Sequence, residues 1–420
     1  MDQSTRNWLP SYCQPDNFLP SVQETVVLFS RRPFLFSDFV GRALAFLQSD
    51  TVRKMGFIYD PATALPCKWK CSDECLFGVD LAIYAFTGRY PFDKGKIGGH
   101  FNEAAVVAAT HHSPCNIDFG GAHVGYIPGP GGGSFGHIVR PLRQDATSTD
   151  CGYLMGLMAP FKAAYDDACK NILVHRPDGY KVQVSIPNEF LRPSWSSDRI
   201  KLLVDIETMC AGVVPYDENK PHTHKMAGRS LFYASETFLA GLDSKTANHF
   251  TGAERRKIGY QLGHPFFHIF DSKAPVENDV LKDRFLPYMK YILASPFAPY
   301  ALKAAVTSAN IENNKLTDCV RTEQFRHCSF VSFSGVFIDM FDPEVGNYRN
   351  LFQPIGISIK VPGRTREYEI SAAEVHEMFS RLKPVEPIIP LDLVLGHQSS
   401  EQLTEKFTFN TPRVKIPADE

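Results

Sequence analysis

The chain has 420 residues, 44% of them hydrophobic, with 44 basic and 46 acidic side chains that almost cancel. That length and apolar content support one large domain or about two to three ordinary ones, and a balanced charge without a clustered basic run gives no electrostatic footprint for nucleic acid. No apolar run approaches the roughly 18–20 residues that span a bilayer. Ten cysteines are too sparse for a disulfide scaffold and read as reduced thiols. The segment Met1 to Pro10 lacks the apolar stretch of a secretory signal, so a cytoplasmic location is expected.

Residues 1–36, rich in proline and polar groups, read as an N-terminal arm or tail. Ser37 is a candidate N-cap, and Phe39, Val40, Ala43, Leu44 and Leu47 recur at helical spacing, which predicts an amphipathic helix over 38–49. Gly56 to Tyr59, Asp60-Pro61 and Leu65-Pro66 predict loop and short extended structure leading to Cys71. Cys67, Cys71 and Cys75 follow at four-residue spacing. On one helix they would share a face, but a straight helix cannot close a tetrahedral cage with all three. Asp73, two residues after Cys71, singles that cysteine out, and Cys67 and Cys75 read as small buried hydrophobes.

Val79 to Phe86 predicts a helix before the Gly88 to Pro91 turn, and Ala104 to Ala109 predicts another ending near His111-His112. That histidine pair reads either as a ligand set or proton shuttle, or as a polar helix terminus. Cys115 to Phe119 resembles a buried strand; Gly120-Gly121 admits a close backbone approach just before His123, which is expected at a strand end. In open α/β sheets ligands bind there. Pro128 to Gly136 lacks the Gly-Lys-Ser/Thr ending of a phosphate loop and reads as a glycine-rich hairpin. Asp150-Cys151-Gly152 opens a helix expected to run to about Asn171, with Cys151 in the first turn, where free N–H groups and the helix dipole favour a thiolate.

A Cys, a His and a Cys from three separate elements, with an acid two residues after the first, suit a zinc ion that keeps one coordination position open. Structural zinc sites usually take four protein ligands from closely spaced cysteine pairs, and no such pair of pairs occurs. The candidate metal ligands are therefore Cys71, His123 and Cys151, and the candidate catalytic residues are Asp73 and His112. Residues 172–420 show no comparable constellation. Val182 to Ile186 and Ile200 to Ile206 alternate as strands, His222-Thr223-His224 reads either as a chelating pair or, between Lys220-Pro221 and Lys225, as an exposed loop, and helical patterns occupy 228–242, 251–261 and 286–293. Ser329 to Phe337 and Ile355 to Val361 read as strands joined through Asp342-Pro343-Glu344; Glu374 to Leu382 reads as a helix, and a loosely packed tail starts with the Pro384 to Pro390 run.

The ordered set Cys71-Ser72-Asp73-Glu74, Gly98-Gly99, His111-His112, His123-Val124-Gly125 and Cys151-Gly152 resembles the limiting-carbon-dioxide-inducible B/C family. Its members include zinc carbonic anhydrases sometimes called the theta class. Ser334 to Ile338, Asp342-Pro343-Glu344 and Ile357 to Ile359 extend the resemblance, which spans about Gly56 to Val361 with gaps. It implies an α/β fold similar to the β-carbonic anhydrases, with a mainly parallel sheet flanked by helices, and a homodimer; the chain is divided accordingly into a zinc-containing domain expected over 37–380 and a C-terminal tail over 381–420. It also implies that zinc on Cys71, His123 and Cys151 acidifies a water, that the resulting zinc-bound hydroxide attacks carbon dioxide to give bicarbonate, that Asp73 orients it, and that His111 or His112 carries the proton outward.

One position departs from the family. The arginine that it places six residues after the first cysteine falls here on Phe77. In β-type anhydrases the Asp-Arg pair keeps the carboxylate off the metal, so without a substitute Asp73 can close the site as a fourth ligand. Arg89 and Arg140 are the candidates to replace it. Two other readings follow: a non-catalytic zinc protein of the same fold that binds bicarbonate or a protein partner, and a thiol enzyme using Cys151 with His123.

Overall fold

Apolar residues dominate 115–127 and much of 329–360, and these stretches form the three longest strands among the described residues. The computed structural model describes residues 31–129, 133–140, 147–159, 299–344, 346–364 and 367–395, with isolated positions and short strands between 162 and 293. The chain divides into two compact units, Ser11–Met155 with Phe297–Glu420, and Met1–Pro10 with Gly156–Pro296.

In the first unit the elements run β1 (Phe34–Leu35), α1 (Phe36–Leu47), α2 (Asp50–Lys54), β2 (Leu65–Trp69), α3 (Phe77–Thr87), β3 (Phe92–Asp93), β4 (Gly95–Lys96), β5 (His100–Phe101), α4 (Glu103–His112), β6 (Cys115–Ile127), β7 (Ser134–Phe135), β8 (His137–Val139) and β9 (Thr147–Thr149). A helix, α5, follows over 152–159. After the second unit come α6 (Tyr300–Val320), β10 (Ser329–Asp342), β11 (Asn347–Lys360), β12 (Tyr368–Ser371), α7 (Ala372–Arg381) and α8 (Leu391–Leu395).

The main sheet has the order β1-β11-β10-β6-β2-β3. Strands β3, β2, β6 and β10 run parallel, while β11, β1 and β12 add an antiparallel side. The fold is α/β. Successive strand residues alternate between faces, and the two faces carry different helices. Phe119 and Phe337 meet the Phe36 ring of α1, and Phe333 meets Phe39. On the opposite face Phe330 joins Trp69, Phe101, Val106, Leu316 and Val320 in a cluster that includes α4 and α6. Phe39 is fully buried, and truncating such a side chain to Ala typically costs about 3–5 kcal/mol.

Helix α1 starts at Phe36, earlier than the expected Ser37 cap. Leu35 precedes it without a capping side chain, and Ser37 is buried in the first turn. Packing of Phe36 against three sheet rings outweighs the preference for a polar cap. Helix α3 ends where Gly88 takes φ +67°, a conformation a side chain would strain. The cysteine triplet lies on no single helix: Cys67 is in β2, Cys71 in the following loop and Cys75 in a short turn of 3-10 helix at Glu74–Leu76. Helix α6 has no counterpart among the expected helices, because alanine, asparagine and buried polar residues surround its axis and leave no amphipathic stripe.

Beyond α7, whose N-terminus is closed by a Ser371–Glu374 capping box, the Val385 N–H bonds to Gly41 O and the Ile389 N–H to Ala85 O. Residues 384–395 thus lie against α1 and α3. No helix among the described residues is long and apolar enough to cross a membrane.

In the second unit, Leu173–His175, Lys181–Ser185 and Leu231–Ala234 form a three-stranded sheet. Val204–Asp205 pairs with Phe266–Phe267. The strands expected at 182–186 and 200–206 are present in part. Leu231–Ala234 lies instead within an expected helix, and its Leu-Phe-Tyr-Ala sequence suits a strand paired on one edge. The His222-Thr223-His224 run, the helix expected at 251–261, residues 1–30 and residues 396–420 lie outside the described residues.

Candidate metal centre

The centre forms beyond the carboxyl end of β2. That strand stops at Trp69, paired with Gly120, and β6 continues past it beside β10 to Gly125. His123 sits on this overhang. Gly121, two residues earlier, is needed for close packing: a Cβ there would stand 1.7 Å from Gly335 O of β10. The loop after β2 supplies Cys71, and the residue before α5 supplies Cys151. All three side chains are buried, and one ligand atom from each lies within 4.8 Å of the others.

The imidazole is oriented from behind. His123 Nδ1 is 2.8 Å from Asp339 Oδ2 and 3.2 Å from Asp150 Oδ2. Its Nε2 is buried and makes no hydrogen bond. A carboxylate on one ring nitrogen, with the other left as a donor facing two thiols, is the arrangement by which proteins aim histidine at a metal. Tetrahedral zinc with bonds of about 2.0–2.3 Å places its ligand atoms on the order of 3.5 Å apart, so the three donors fit such an ion.

Hydrogen-bond donors also converge on the thiols. The Gly98 N–H donates to Cys71 Sγ at 3.1 Å. The Cys151 thiol and, against the cost of burial, His123 and that N–H hold the Cys71 thiol well below its ordinary range. Cys151 is pushed well above, because it keeps the proton it shares with Cys71 and because it is buried. Burial works against charge on His123, yet Asp150 and the Cys151 sulfur outweigh it and raise the imidazole well above its usual value.

Asp73 is brought to the centre, and so is an arginine for it. Arg140, just past β8, donates from Nη1 to Asp73 Oδ1 at 2.7 Å and from Nη2 to Asp73 Oδ2 at 3.1 Å, a forked pair. It also reaches Glu74, Ser148 Oγ at 3.0 Å and the Asp150 carbonyl at 3.2 Å. One guanidinium thus ties the Cys71 loop to the segment that carries Cys151. Burial would raise the Asp73 carboxyl, but the Arg140 bonds hold it well below the usual carboxylate range. Phe77, at the position where an arginine is expected, is 60% exposed. Arg89 is elsewhere, bonded to the Ala62 and Ala64 carbonyls.

His112 is not brought in. It is exposed at the end of α4, with its ring 5.3 Å from Phe92. Helix α4 feeds the beginning of β6, and eight residues at about 3.3 Å each separate Cys115 from His123, on the order of 26 Å. His111 shares that end.

A second buried group was not legible in the sequence: Cys75, Asp150 and Asp339 around His123. Cys75 Sγ is 3.1 Å from Asp339 Oδ2, burial keeps its thiol protonated, and Asn350 Nδ2 donates to Asp339 Oδ1 at 2.6 Å. Residues 172–420 therefore do contribute to the centre. The available signal was a lone carboxylate inside an apolar strand, Val336 to Met340. In the parallel register Phe337 pairs with His123, so Asp339 falls on the same face one step further on. Asp339→Asn is expected to weaken zinc binding by about 10- to 100-fold, read by competition with a chelator; an unchanged affinity would remove Asp339 from this role.

No family model matches the chain, and no curated protein matches it. Among solved structures the chain is similar to PtLCIB4, described as a homolog of the limiting CO2-inducible protein LCIB, at 12% identity and a TM-score of 0.43, over 79% of this chain and 93% of that one. It is similar to the limiting CO2-inducible protein LCIB at 13% identity and a TM-score of 0.34, over 84% of this chain and all of that one.

Proposed function

We propose that the protein is a zinc-dependent carbonic anhydrase that interconverts carbon dioxide and bicarbonate. The observation that carries this reading is a buried three-donor set, Cys71, His123 and Cys151, beside a carboxylate that Arg140 holds in a fork. Three protein ligands leave a coordination position for water, whereas four would close the site. When bound, zinc supplies the Lewis acidity that makes water a nucleophile near neutral pH.

The remaining work falls to the chain itself. Cys71 and Cys151 supply the negative charge, and Asp339 and Asp150 fix the His123 ring. Arg140 engages both oxygens of Asp73 along one edge and the Cys75 N–H donates to Oδ1 at 3.3 Å, which restrains the carboxylate while a lone pair on Oδ2 stays available to accept a hydrogen bond from water and orient it.

The test is zinc content and stopped-flow carbon dioxide hydration on one purified sample. About one zinc per chain, with hydration that chelation abolishes and zinc restores, is the expected result. Zinc-loaded protein that hydrates nothing from neutral to alkaline pH would overturn the enzyme in favour of a zinc protein that binds bicarbonate or a partner.

A further inference from the structure

A histidine that the sequence motifs passed over lies close to this centre. His100, in β5, follows directly on Gly98-Gly99. Its Nδ1 is 2.9 Å from Glu312 Oε1 on α6. Glu312 is 1% exposed, and its other oxygen accepts the Phe101 N–H at 3.0 Å. The opposite nitrogen lies beside Gly98: His100 Nε2 is 3.1 Å from where a Cβ on Gly98 would stand, and the Gly98 N–H is the group bonded to Cys71 Sγ. That same point is 2.5 Å from the ring of Tyr153, two residues past Cys151, and the Tyr153 ring meets His100 edge-on at 5.6 Å. His100 is thus bracketed by neighbours of two of the three metal ligands. Its side chain is 12% exposed, enough to meet solvent as well.

We propose that His100, backed by Glu312, relays the proton released from water at the Cys71–His123–Cys151 centre to solvent, a role that rests on the carbonic anhydrase reading. Glu312 accepts from Nδ1–H, and Nε2, on the side of Gly98, is thereby left as the proton acceptor. Burial opposes charge on Glu312, but the His100 hydrogen bond, with Lys315 and the Phe101 N–H, holds its carboxyl below the usual range. One proton passes from water to Nε2 and gives an imidazolium paired with Glu312. A buffer base then removes that proton from the ring and restores the neutral form, and no electrons are exchanged. Among the described residues, the charged and titratable groups beside His100 include Glu312, Lys315 beyond it, Tyr153, and Lys96 across the β4–β5 pair.

The experiment compares zinc-loaded wild type, His100→Ala and Glu312→Gln in the full chain. In dilute buffer, hydration by His100→Ala is expected to fall about 10-fold or more and to recover as imidazole buffer is added, with zinc content unchanged. Glu312→Gln, a positioning variant, falls less. Independently of turnover, nitrogen NMR of labelled histidine is expected to show the neutral His100 ring protonated at Nδ1, and Glu312→Gln to shift that preference toward Nε2. A His100→Ala protein with the wild-type rate in dilute buffer, or a neutral wild-type ring protonated at Nε2, would overturn the relay alone. A zinc-loaded wild type without hydration would overturn the relay together with the reaction.

Discussion

Cys151→Ala protein is expected to keep its fold and to lose zinc affinity by on the order of 10² to 10³-fold, with hydration at limiting zinc disappearing as well. The magnitude follows from sharing an apparent zinc binding free energy of about 10–16 kcal/mol among four coordination positions. Losing one thiolate then removes roughly 2.5–4 kcal/mol. The protonation states sharpen the prediction. Cys151 holds its proton unusually tightly and His123 is biased toward imidazolium, so zinc must displace protons to bind. Affinity is expected to fall as pH is lowered, and calorimetry in buffers of different ionisation enthalpy should register net proton release that shrinks in Cys151→Ala. A Cys151→Ala protein with wild-type zinc content under a competing chelator would remove Cys151 from the ligand set. A variant that unfolds leaves the proton release by wild type as the deciding measurement, since a site without thiol ligands releases none from Cys151.

Arg140→Gln is expected to separate metal binding from turnover. Without the fork, the Asp73 carboxylate is free to swing toward the metal as a fourth ligand, so zinc should bind as tightly as in wild type or more tightly while hydration falls about 100-fold, the size of effect seen when an active-site electrostatic partner is lost. Arg140→Lys should recover only part of the rate, because an ammonium keeps the charge and lacks the planar fork. Adding Asp73→Ala to Arg140→Gln should return the zinc affinity to the wild-type value, since the carboxylate that closes the site is then gone. Arg140→Gln protein hydrating carbon dioxide at the wild-type rate would show that the Asp73–Arg140 pair does not keep the site open.

The candidate ligand residues were legible in the sequence because each lies in a local signal: an acid two residues past Cys71, a glycine pair before His123, and a helix start at Cys151. The strand pair joined through Asp342 to Glu344 was legible as well, since alternation and a turn sequence are local properties of the chain. What lay beyond the sequence depends on contacts between distant segments. Arg140 and Arg89 were equal candidates until β8 carried one of them to Asp73. Asp339 reaches His123 only because β10 lies parallel beside β6, although more than 200 residues separate the two in the chain.

The proton relay proposed from the structure differs from the one expected from the sequence for the same reason. His112 stood out in the sequence as half of a pair, but its helix delivers it to the end of β6 opposite the metal centre. His100 gave no such signal, and it acquires its position from Glu312 on a helix that no periodicity announced. Short-range spacing determined which side chains this protein can offer to a metal. The order and direction of strands in the sheet, set by burial of the aromatic faces of β6, β10 and β11, decided which carboxylates and which arginine those side chains meet.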